Sequence, residues 1–90
     1  MFNVIHKVCL SMTYSQTRKL PRDSQILKID EQHGNLCIWY CFNQAVAEDS
    51  VERTFKIYGT GHDINAVDKY LGTVVMNNGL VWHVFEETDM

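Results

Sequence analysis

Ninety residues bound the chain to one domain, expected over 1–90, since a chain of this size buries only about 60–65% of its unfolded surface. An apolar content of 46% excludes a disordered tail, and no apolar run approaches the ~18–20 residues of a membrane-spanning helix. A net charge of −3 lacks the basic surplus of a general nucleic-acid binder.

The charge is uneven. Residues 1–30 sum to +3 and residues 31–90 to −6. A solvated loop and edge strand account for the basic third, and the acidic remainder suits a basic partner surface. His6 and Lys7 interrupt the N-terminal apolar stretch, so no signal peptide is expected. The chain reads as complete from Met1 and cytoplasmic. Cys9, Cys37 and Cys41 follow no scaffold pattern and read as reduced, buried, small hydrophobes.

In chain order, residues 2–10 alternate between Phe2, Val4, His6, Val8 and Leu10 on one side and Asn3, Ile5, Lys7 and Cys9 on the other. Period two predicts a strand. Residues 11–19 are polar without helical periodicity and read as a connection, with some extended structure around Tyr14, that ends at Leu20-Pro21. Gln25–Gln32 and Asn35–Asn43 are predicted to pair through His33-Gly34, because primed turns need positive φ. The run Leu36–Phe42 is apolar on both faces and is placed centrally in a sheet.

Gln44–Glu52 reads as one helical turn or a loop. Arg53–Tyr58 returns to strand, with Arg53, Phe55 and Ile57 on one face, and Gly59 and Gly61 break it. Asp63 is a candidate N-cap for a helical turn over Asn65–Lys69. Tyr70–Met76 and Leu80–Glu86 form a last hairpin through Asn77-Asn78-Gly79. The fold class is therefore all-β or strongly β-dominated. It is a small antiparallel six-stranded sandwich or half-open barrel with at most one or two short helical turns. Leu36, Ile38, Trp39, Phe55, Ile57, Val74, Trp82, Val84 and Phe85 are the expected core.

Chemical motifs are sparse. Gly59-Thr60-Gly61-His62 is the one candidate ligand loop, since glycine amides can form an anion nest. It lacks the third glycine and the lysine of phosphate loops, so a bend that redirects the chain is the favoured reading. No histidine or cysteine spacing matches a metal site, and Cys37 and Cys41 lie ~13 Å apart along an extended strand. No metal or cofactor is expected. No nucleophile motif is present, and Glu48-Asp49 and Glu86-Glu87 read as solvated pairs, so an enzyme is not expected. Tyr40, Tyr58 and Tyr70 are candidates for a partner-facing surface at a sheet face or edge.

The blocks FKIYGTGHDI, KYLGTVV and LVWHVFE, preceded by ILKIDEQHGNLCIWY, resemble a small family of bacteriophage proteins. Its members carry Y-G-T-G-H, then Y-[IL]-G-T, then V-W-H-V-F-E in order, and the likeness covers most of residues 20–87. The resemblance implies a phage product in the cytoplasm of an infected bacterium and supplies no chemistry. The leading expectation is a non-enzymatic accessory protein that binds a host protein, to inhibit or modulate it or to counter a defence system. The alternative is a protein that sequesters a nucleotide signal through Gly59–His62, and the third is a virion or assembly component. Two outer strands make a homodimer plausible, and neither a nucleic acid nor a membrane is an expected partner.

Overall fold

Both predicted hairpins form. His33 and Gly34 take φ of 53° and 82°, the left-handed backbone that a primed turn requires, and Gly79 takes 89° after the Met76–Gly79 turn, a conformation glycine adopts at least cost. The computed structural model describes residues 2–65 and 68–88. Among these, seven strands form: β1 (Val4–Leu10), β2 (Ser15–Pro21), β3 (Gln25–Gln32), β4 (Asn35–Phe42), β5 (Ser50–Gly59), β6 (Lys69–Val75) and β7 (Val81–Glu86).

They make two antiparallel sheets, ordered β1-β4-β3 and β2-β5-β7-β6. Both sheets stay open at their edges, so the architecture is a sandwich and not a closed barrel. The seventh strand corrects the expectation of six. Residues 15–21 alternate between half-buried and exposed positions, and Leu20 alone of their side chains reaches full burial. β2 is an edge strand that pairs only with β5, and Pro21 closes it opposite Ser50, where a missing N–H is tolerated.

The core lies between the sheets. Leu36, Ile38, Tyr40 and Phe42 of β4 point inward with Leu10, and meet Phe55, Ile57, Val74 and Val84 from the other sheet. The central placement of β4 holds. Trp39 and Trp82, expected in the core, are only partly buried, because Trp39 sits on the outward face of β4 and Trp82 packs at the core's margin. Phe85 is buried, but it lies opposite Lys56 and Tyr70, on the outer face of the four-stranded sheet.

Two register shifts face each other. β3 shifts between Ile26 and Lys28, and β6 between Tyr70 and Gly72. Bulges bend the strands that carry them, and here the two edges come together. A Cβ on Gly72 would stand 3.5 Å from Ile29.

The segment after β4 forms a short 3₁₀ turn at Gln44–Val46, where the Asn43 side chain accepts the Ala45 N–H at 3.0 Å. β5 then begins at Ser50, three residues earlier than expected. The helical turn predicted over Asn65–Lys69 does not form at its described positions. Residues 62–65 are irregular and Lys69 already belongs to β6; positions 66 and 67 lie outside the described residues.

Candidate functional site

The connection from β5 to β6 bypasses β7, which lies between them, and so crosses the outer face of the four-stranded sheet. It starts with Gly59–His62. The His62 N–H donates to the Gly59 carbonyl at 3.2 Å, and the Gly59 N–H donates to His62 Nδ1 at 3.0 Å. Gly61 takes φ of 94°. A Cβ on Gly59 would meet His62 Cε1 at 3.1 Å and the Trp82 ring at 3.4 Å, so the His62 ring closes onto the backbone only because Gly59 has no side chain. The unit is a self-bonded turn, and two of its amides are engaged within it.

Thr60 leads outward. Its hydroxyl lies 2.9 Å from His83 Nε2, and His83 Nδ1 lies 2.9 Å from the Thr73 hydroxyl, which is 2.6 Å from the Tyr70 hydroxyl. A neutral imidazole donates from one nitrogen and accepts at the other, so His83 ties the turn to β6 through hydroxyls. Thr73 and His83 are register partners. The Asn78-Gly79 turn sets that register, and it is the sequence signal by which His83 and Thr73 could have been found.

Under the crossover lies a buried polar cluster. Lys56 Nζ is 3.1 Å from Asp68 Oδ2, which also accepts the Tyr58 hydroxyl at 3.2 Å. The Tyr58 hydroxyl is 3.3 Å from that of Tyr14. Asp68 Oδ1 is buried with no hydrogen-bond partner among the described residues. Burial first, then the bond with Tyr14, pushes the Tyr58 phenol up to about 12. The bond with Asp68 raises the Lys56 ammonium above its ordinary value.

Aromatic rings cross the sheet in a row. Tyr14 meets Tyr58 at 5.4 Å between centroids, Tyr58 meets Phe85 at 5.3 Å, and Phe85 meets Tyr70 at 5.3 Å, all edge-to-face, a favourable arrangement for such rings. The middle of the row is buried and its two ends, Tyr14 and Tyr70, are exposed. A shallow concavity of about 240 Å³ lies between Tyr58, Gly59, His62, Ile64, Tyr70 and His83, and another of about 400 Å³ is lined by His62 with Met12, Tyr14, Ile57 and Trp82.

The structure therefore brings Gly59, Thr60, Gly61 and His62 together with Tyr58 and Tyr70. It does not bring Tyr40 there, because Tyr40 points into the core of the sandwich and is buried. Tyr58 is also buried, at 1% exposure, whereas Tyr70 is 56% exposed. Of the three tyrosines singled out in the sequence, only Tyr70 presents its ring to solvent. Among the described residues, no group of three or more His, Cys, Asp or Glu side chains is placed to hold a metal ion, and no helix is long and apolar enough to cross a membrane.

Comparison with curated proteins and with solved structures finds no match. A family match covers residues 1–90, and by it the chain belongs to the DUF7352 family, described as a domain of unknown function.

Proposed function

We propose that this domain is a non-enzymatic accessory protein that acts by binding another protein through the outer face of its four-stranded sheet. The sequence resemblance supplies the setting: a bacteriophage product in the host cytoplasm, where its partner is a host protein that it inhibits or modulates, as a counter-defence factor would.

The observation that carries the reading is the surface at β6. Within its sheet this strand is paired only with β7, and at Gly72 its other edge faces Ile29 of β3. On the same strand Tyr70 and Val75 are 56% and 68% exposed, and Ile64 of the crossover stands exposed nearby. Exposed aromatic and aliphatic groups gathered on one strand and the crossover beside it fit a protein face. A ligand cradle is supported less well, since the Gly59 and His62 amides already bond within the turn. The same exposed groups also fit a second copy of the chain.

The test uses immobilised wild-type protein and a Tyr70→Glu/Val75→Glu variant, each exposed to bacterial lysate, with size measured by light scattering in parallel. A bacterial protein captured by the wild type and lost by the folded variant is the expected result. Identical capture by both, or none by either, overturns the reading. A wild-type dimer that the variant abolishes, without a captured host protein, redirects it to self-association.

A further inference from the structure

The three cysteines were expected to be buried, and Cys9 is not. It lies on the outward face of β1 and is exposed, whereas Cys37 of β4 is fully buried. The two are register partners across the β1–β4 ladder, and their sulfurs are 2.9 Å apart, roughly 0.9 Å beyond a disulfide bond. Directly opposed residues in an antiparallel pair have Cα atoms ~4.5 or ~5.5 Å apart, and both spacings lie in the range that disulfides span.

We propose that Cys9 and Cys37 are an oxidisable dithiol, a modification site that closes to a disulfide and staples the edge strand β1 to the central strand β4.

The surroundings fix which thiol reacts and with which partner. Cys41 shares the outward face of β4 with Cys37, but its register partners are Ile5 and Gln25, so no thiol stands opposite it. Cys9 is the accessible sulfur and meets the oxidant first. Cys37 is held as the thiol by burial and by its contact with Cys9, which push it up to about 11, and it waits as the resolving group. With a small-molecule disulfide as oxidant, the Cys9 thiolate attacks one of its sulfurs. That S–S bond breaks, and one small thiolate leaves. Cys37 then gives up its proton to water, and its sulfur attacks Cys9 Sγ and expels the second small thiolate. The two protein thiols lose two electrons and two protons, and the small disulfide is reduced to two thiols.

The strand that the bond would hold is the one with least to hold it. β1 has one neighbour, and most of its side chains are exposed. A bond at Cys9–Cys37 closes the loop of chain that carries β2 and β3 and limits the fraying of that edge. Disulfides in reducing compartments are usually transient, and an exposed thiol beside a buried one is suited to such reversible closure.

The experiment incubates the reduced chain with glutathione disulfide at graded ratios to glutathione, alkylates the remaining thiols and maps the linked peptides. One Cys9–Cys37 cross-link, Cys41 still alkylated, a higher melting temperature and slower amide exchange over Val4–Leu10 are expected. Cys9→Ser, a change at an exposed position that keeps the fold, abolishes the cross-link, and Cys41→Ser leaves it intact. A glutathione adduct that persists on Cys9 without linkage to Cys37, a cross-link through Cys41, or a cross-link that changes neither melting nor exchange overturns the proposal.

Discussion

Arg53 and Glu86 meet as a fork across neighbouring strands. Arg53 Nε and Nη2 donate to the two carboxylate oxygens at 2.6 and 2.8 Å, and Nη1 donates to the Ser24 carbonyl at 2.7 Å. Ser24 immediately precedes β3, so one guanidinium ties the four-stranded sheet to the chain that enters the other. The side chains are only 19% and 13% exposed. A bidentate pair this sheltered is fixed in geometry as well as charge.

Removing one partner leaves the other charge buried. Glu86→Ala is expected to cost roughly 3 kcal/mol in chemical denaturation, the usual scale for breaking a buried pair. Arg53→Lys should recover little of the stability lost in Arg53→Ala, because an ammonium cannot form the fork. The double variant Arg53→Met/Glu86→Leu should be more stable than Glu86→Ala, since it leaves no unpaired charge. A Glu86→Ala protein as stable as the wild type would show that the pair does not hold the sheets together.

Gly72 tests the meeting of the two bulged edges. Its missing Cβ would sit 3.5 Å from Ile29 Cβ and Cγ1, an ordinary contact. Gly72→Ala should therefore leave stability within about 1 kcal/mol of the wild type. Gly72→Val adds methyl groups where β3 already stands and should cost about 1–3 kcal/mol. On the melting temperature of a domain this small, that is a loss of roughly 4–8 °C for each kcal/mol. Equal melting of the two variants would mean that the β3–β6 contact is slack.

Alkaline pH reads the cluster beneath the crossover. Burial and the Tyr14 bond raise Tyr58 from 10.0 to about 12, so folding keeps a proton that the unfolded chain releases near pH 10. The stability this represents is complete below pH 10 and is lost as pH rises toward about 12. Lys56 has the same sign. Its bond with Asp68 raises it above 10.5, and its contribution is complete below that pH and fades above it. Urea midpoints should fall through this window, and Tyr58→Phe should flatten the fall. In the native protein tyrosinate absorbance should show a late component from Tyr58 and from Tyr40, whose phenol burial also raises, and that component should shrink in Tyr58→Phe. Four tyrosines titrating together near pH 10 would contradict the buried phenol.

Much of the sandwich was legible because its signals are local. The His33-Gly34 and Asn78-Gly79 turns and the doubly apolar run Leu36–Phe42 each carry their structure in a few adjacent residues. β2 was not legible as a strand, because at an edge only Leu20 needs to be buried and Ser15–Lys19 can be polar. The bulges at Leu27 and Leu71 left no mark, since an extra residue in a strand is specified by the partner edge. The site was half legible. Gly59–His62 announced a turn by its glycines, but the Lys56–Asp68–Tyr58 cluster could not be seen, because a lysine and an aspartate twelve positions apart look solvated until a crossover covers them. Tyr58 misled for the same reason, as alternation placed it correctly on the outer face but could not show that the face is roofed.

The last prediction separates turning from binding at Gly59–His62. Gly61 has φ of 94°, and a Cβ there would meet nothing within 4 Å. Gly61→Val therefore suffers from backbone strain alone, of order 1–3 kcal/mol, since a β-branched residue resists the left-handed region. Gly61→Asn should lose less, because asparagine tolerates that region. At His62, the ring takes up the Gly59 N–H and packs near Trp82, so His62→Ala should lower stability by about 1 kcal/mol through one lost hydrogen bond without unfolding the domain. If the loop only turns the chain, neither wild type nor His62→Ala should be stabilised by any nucleotide or cyclic dinucleotide in a thermal-shift screen. The folded His62→Ala protein should also capture the same partner as the wild type. Strong stabilisation of the wild type by one nucleotide, absent in His62→Ala, would instead assign the loop to ligand capture and replace protein binding as the function of this face.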